Sequence, residues 1–131
     1  MNIKKRYKKT DLIKFAFKVL KKVGLNNLNS KTVANLIVRA DERGVWSHGI
    51  VRLPIYIKRI EKKSAKINPI LKFKKITNNI FHLSGDNGLG YIAANEGIKK
   101  CVSLAKKNGI GLVGISAVSY THLTLPTIAL V

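Results

Sequence analysis

Apolar residues recur at helical spacing up to Pro69 and alternate beyond it, and this change of period limits the chain to a mixed α/β fold with its helices first. Leu12, Phe15, Ala16, Val19, Leu20 and Val23 mark one face of a first helix, with Thr10 and Asp11 placed to cap it and Gly24 to stop it. A second helix is expected from Ser30, carrying Val33, Ala34, Ile37, Val38 and Ala40 inward until Gly44 interrupts it. After the loop "GVWSHGI", Pro54 suits the first turn of a third helix, where Ile57 and Ile60 repeat at apolar spacing and Arg52 stands near the beginning. Beyond Pro69, "ILKFKKIT" and "IFHLSG" flank Asn78-Asn79, a pair that tolerates the positive φ of a tight turn and so predicts a β-hairpin. "GDNGLG" then opens a helix from about Tyr91 to Lys107, with Ala94, Ile98, Cys101, Val102 and Ala105 on one face, and "GIGLVGIS" reads as a buried strand.

Three regions follow: a helical region over 1–67, the start of an α/β domain over 68–116, and a tail over 117–131. The last fourteen residues, "VSYTHLTLPTIALV", hold no lysine, arginine, aspartate or glutamate in a chain otherwise rich in lysine. As protein, alternation through Ser119, Thr121, Leu123 and Leu125 looks like an ordinary strand. As nucleic acid, Val118–Thr127 matches codon for codon the translation of a transposase-type sequencing-library adapter, and the adapter's constant bases close the frame with Val131 and a stop. The second reading is preferred, so the tail is expected not to be native and the natural sequence to break off around Ser116.

A formal charge of +19 first suggests nucleic acid or an anionic membrane surface. The lysines are scattered from Lys4 to Lys107, however, as solvated faces would have them, and lysine, isoleucine and asparagine are abundant together, as AT-rich coding DNA favours. Only "KKRYKK", Lys4 to Lys9, is a true basic run, read as a loose soluble N-terminus in preference to a nucleic-acid arm. Cys101 is the single cysteine and sits among apolar residues, which favours core packing over redox chemistry. Lys14, Lys18, Lys21 and Lys22 interrupt the only stretch that resembles a signal peptide, and no segment suits a bilayer span; a soluble, cytoplasmic protein without membrane contact is expected.

Two constellations remain. Gly85, Gly88 and Gly90 stand between a strand and a helix, where backbone amides can meet a phosphate, but their spacing reverses that of a dinucleotide fingerprint and a structural turn is preferred. No His, Cys or carboxylate cluster has metal-ligand spacing, so no metal is expected. In "WSHGIVRLPIY", Ser47 and His48 lie between Gly44 and Gly49, with Arg52 four residues after His48. Such an imidazole and guanidinium suit a small carboxylate substrate, Arg52 gripping both oxygens while His48 donates a hydrogen bond or a proton; a capped loop followed by a helix-surface arginine is the plain alternative.

"ADERGVWSHGIVRLPIYIKRI", "INP" and "GDNGLGYIAANEGIKKCVSLAKKNGIGLVGI" together resemble, in order and spacing, the N-terminal third of the malate/L-lactate dehydrogenase family, which includes ureidoglycolate and sulfolactate dehydrogenases. The likeness covers roughly Asp11 to Ser116. It implies a non-Rossmann fold of the family's own, NAD or NADP as cofactor, a small 2-hydroxy or 2-oxo acid as substrate, and a homodimer at full length with active sites near the subunit interface. It also implies substrate-pocket roles for His48, Arg52 and Tyr56, with Ser47 beside them. Trp46 departs from the aspartate often found there, so substrate preference is not read from it. The family's catalytic histidine would fall near Tyr120, inside the suspect tail; His122 is a decoy, no catalytic residue is assigned, and the fragment itself is expected to be inactive. The competing reading, a small basic nucleic-acid-binding protein, rests on net charge alone.

Overall fold

The computed structural model describes residues 6–119 in full and the backbone of 125–130; Lys4, Lys5, Tyr120 and His122 lie outside the described residues. The chain packs as two units, residues 1–58 and 59–131.

In the first unit, helices α1 (Lys9–Lys22) and α2 (Asn27–Glu42) pack on each other. Ala16 and Leu20 of α1, and Val33, Ala34, Ile37 and Val38 of α2, are buried, while Phe15, assigned to the inner face from its spacing, is 57% exposed. The caps differ from expectation. Lys8, with no side-chain bond, precedes α1, so Thr10 and Asp11 lie within the first turn, where the Asp11 carboxylate favours the positive end of the helix dipole. Asn26, not Ser30, caps α2: its side-chain oxygen accepts the Asn29 amide at 2.8 Å, and the buried Ser30 hydroxyl turns back to the Leu25 carbonyl. Both helices end as the glycines indicate. Gly44, at φ +75°, donates to the Asp41 carbonyl while Val45 donates to that of Ala40, the paired bonds of a Schellman stop.

Helix α3 (Leu53–Glu61) follows two short 3-10 turns, Trp46–His48 and Ile50–Arg52. In the second unit, strands β1 (Lys72–Lys75), β2 (Ile80–Gly88), β3 (Ile110–Val118) and β4 (Leu125–Leu130) lie in that order in one sheet, with α4 (Gly90–Asn108) between β2 and β3. β1 and β2 form the expected antiparallel hairpin, whereas β2 and β3 are parallel, the pairing a crossover helix permits. The hairpin turn does not use positive φ at Asn78-Asn79; the Thr77 hydroxyl accepts the amides of Asn79 and Ile80 instead. All four residues of β1 are exposed and three are lysines, a charged edge that discourages further strand pairing.

Leu83, Val113 and Ile115 from the sheet meet Ala93, Cys101 and Leu104 from α4 in one core, and the Cys101 thiol, fully buried, donates to the Gly111 carbonyl. The face of α4 read from sequence is displaced from the buried one: Ala94, Ile98 and Val102 are exposed. Gly97 explains the shift. It brings the helix so close to β3 that an added Cβ would stand 2.8 Å from Ile115 Cδ1, so the contact stripe runs through a residue with no side chain to signal it. The backbone of 125–130 pairs antiparallel with β3, from Ile110 opposite Leu130 to Ile115 opposite Leu125. The alternation from Ser119 to Leu125 falls mostly on residues 120–124, which lie outside the described residues.

Candidate active-site loop

α2 ends in its glycine stop at Gly44, and the chain then makes two tight turns before α3 begins. The first is closed by the His48 amide on the Val45 carbonyl at 3.0 Å, the second by the Arg52 amide on the Gly49 carbonyl at 3.0 Å. These turns bring three of the expected residues together. The Ser47 hydroxyl lies 2.9 Å from His48 Nδ1, and Arg52 Nε donates to the Ser47 carbonyl at 2.6 Å. Ser47 and His48 are exposed and Arg52 is half-buried. Tyr56, one helical turn beyond Arg52 on α3, is buried.

The bond to Ser47 decides which edge of the guanidinium is available. With Nε occupied, Arg52 retains two terminal nitrogens that make no hydrogen bond or ion pair within the described residues, the edge through which a guanidinium can take a carboxylate with two parallel bonds. A fixed Nε also restricts the side chain in advance, so less rotamer entropy is lost when an anion is gripped.

Sequence reasoning passed over Asp41. From the last turn of α2 its carboxylate accepts the Ile50 amide at 2.8 Å, tying the helix to the second turn. Gly49 makes room for it: its φ of -86° is open to any residue, but a Cβ would overlap the Asp41 carboxyl group. The glycine of "SHG" thus leaves room for the Asp41 carboxylate against the backbone, and the acid eight residues upstream is the available signal for it.

The glycine segment of the second unit serves structure. Gly88 lies in β2, where a Cβ would collide with the Pro69 ring, and the Asp86 carboxylate holds the same stretch by accepting Lys66 Nζ at 2.5 Å and the Ile70 amide at 2.9 Å. "INP" and "GDNG" thus interlock, and the space beside Gly88 is filled by proline. Among the described residues no three His, Cys, Asp or Glu side chains gather as a metal site, and no helix is long and apolar enough to cross a membrane.

With this geometry in place, comparison with known proteins defines the class. The family model for malate/L-lactate dehydrogenase matches residues 7–125, extending past Ser116. The malate/(S)-sulfolactate dehydrogenase of Methanothermus fervidus is 35% identical over 98 residues, 75% of this chain and 29% of the relative. The NAD(+)-dependent ureidoglycolate dehydrogenase of Escherichia coli K12 is likewise 35% identical over 98 residues, covering 75% of this chain and 28% of its own. Among solved structures, malate dehydrogenase from Pyrococcus horikoshii superposes with a TM-score of 0.84 at 32% identity, over 87% of this chain and 33% of that one. The chain belongs to the malate/L-lactate dehydrogenase family, a family of oxidoreductases, and it spans about 30% of the length of the curated relatives it matches.

Proposed function

We propose that the chain is the N-terminal part of a cytoplasmic, homodimeric oxidoreductase that moves a hydride between NAD or NADP and the hydroxyl- or keto-bearing carbon of a small 2-hydroxy or 2-oxo acid. The observation that carries this reading is the Ser47–His48–Arg52 constellation: a guanidinium anchored at Nε with its terminal nitrogens available, beside a hydroxyl–imidazole pair. Arg52 receives the substrate carboxylate with two parallel bonds. His48 stands ready to hydrogen-bond the adjacent oxygen, and Tyr56 forms part of the pocket wall. The nicotinamide cofactor provides the hydride, and no acid/base group is assigned among the described residues. The 131-residue chain spans about 30% of the length of its curated relatives, and by itself it is expected to show no turnover. The nucleic-acid alternative gains no support from family membership and retains only its charge.

The test is made in the complete enzyme. Arg52→Lys keeps the positive charge but loses the planar fork. Charge-assisted hydrogen bonds contribute about 1.5 to 3 kcal/mol, so kcat/KM for oxaloacetate or pyruvate is expected to fall roughly 10-fold to 150-fold. NAD(P)H affinity without substrate stays unchanged. Untouched kinetics, or an equal loss of cofactor binding, would return Arg52 to the role of an ordinary helix-start residue.

A further inference from the structure

We infer that Asp41 is a positioning residue, one that fixes His48 and Arg52 relative to each other through the backbone; the inference rests on the substrate-pocket reading of those two residues. An aspartate in the last turn of a helix faces the negative end of the dipole, an unfavourable place for a carboxylate. Asp41 has no ion-pair partner among the described residues to offset this. What it has is the Ile50 amide, at 2.8 Å.

Ile50 lies midway between His48 and Arg52 and opens the second 3-10 turn. Its amide precedes the turn's own hydrogen bonds and needs an acceptor from elsewhere, the same need that a capping side chain meets at a helix start. Asp41 supplies that acceptor across nine residues. Because Gly49 has no side chain, the carboxylate packs directly against the backbone that joins the two turns. Arg52 then reaches back to the Ser47 carbonyl at 2.6 Å, closing a loop from helix to turn, from turn to guanidinium and from guanidinium to the first turn. Removal of the Asp41 acceptor releases the second turn and, with it, the point from which Arg52 extends.

The experiment compares Asp41→Ala, Asp41→Asn and Gly49→Ala in the complete enzyme, with oxaloacetate and pyruvate as probes and NADH binding followed separately. Asp41→Ala is expected to raise KM for the oxo acid about 10-fold, since misplacement of a substrate-gripping group by an ångström is costly, while NADH affinity is retained. Asp41→Asn keeps an acceptor oxygen of the same shape and should recover most of the loss. Gly49→Ala, which forces a methyl group into the carboxylate, should reproduce the KM effect.

A purely structural role lowers only the folded fraction, which reduces kcat at constant KM; that result would overturn the inference, and so would Asn behaving no better than Ala. If Asp41→Ala does not fold, the KM shift in Gly49→Ala decides the matter. Arg52→Lys is the control: altered oxo-acid kinetics there, with none in the Asp41 and Gly49 variants, sinks the positioning role alone. Indifference of all the variants sinks the pocket reading itself.

Discussion

Asp86 and Asn87 both take left-handed backbone conformations, at φ 48° and 56°, which Asp and Asn tolerate better than most residues. The hydrogen bond from Lys66 and then that from the Ile70 amide hold the Asp86 carboxyl below its ordinary value of 3.8. A carboxylate depressed on folding stabilises the native state above its unfolded pKa, and that contribution disappears as pH falls through the lower folded value. Asp86→Asn should therefore destabilise the chain at neutral pH, with a difference from the parent that shrinks toward zero on acidification; urea unfolding at a series of pH values measures it. A difference independent of pH would mean that the carboxylate's charge contributes nothing. Residues displayed on loops were legible in the sequence in a way that residues supporting them were not. Ser47, His48 and Arg52 stand in a short stretch whose chemistry is visible by type, and the structure brings them together. Asp41 looks like any acid on a helix surface, and its function depends on a contact nine residues away that no local pattern encodes.

At the scale of elements, the cap of α2 carries a direct prediction. Asn26→Ala removes the acceptor of the Asn29 amide and should cost about 1 kcal/mol, which corresponds to a fall in Tm of about 4 °C for a chain of this length. Thermal unfolding followed by circular dichroism checks it, and an unchanged Tm would move the cap elsewhere. The helices, β2 and β3 were readable because burial imposes their periods, whereas the exposed β1 was found through its hairpin turn. Their starts were less so: Thr10, Asp11 and Ser30 are good capping residues by type, yet Lys8 and Asn26 hold those places. Apolar count also misjudged α4. Ala93, Gly97 and Cys101 form a narrow stripe of small residues against the sheet, while the bulkier Ile98 and Val102 that attract attention in sequence remain outside.

At the scale of the whole molecule, the adapter reading of Val118–Thr127 and the pairing of 125–130 with β3 lead to one decisive comparison. The Ser119 amide donates to the Gly88 carbonyl, and Arg59 Nη1 donates to the Ser119 carbonyl, so the informative deletion starts after Ser119. If the tail is a translated adapter, never selected to fit this core, removal of residues 120–131 leaves unfolding of the chain unchanged. A marked loss of stability would make β4 integral to the sheet. Genomic DNA read past codon 116 answers the question of origin independently.

The succession of β2, α4 and β3 along the chain bears on how the protein acquires its shape during synthesis. β1 and β2 pair across a short turn, α4 follows β2 at once, and β3 follows α4 after Gly109 alone. The hairpin and the docking of α4 on β2 join neighbouring stretches at small loop-closure entropy, whereas the parallel pairing of β3 with β2 closes the longer loop that α4 spans. The sheet core can form progressively at the ribosome exit, with β2 waiting unpaired on its inner edge only for the time needed to translate one helix and one strand.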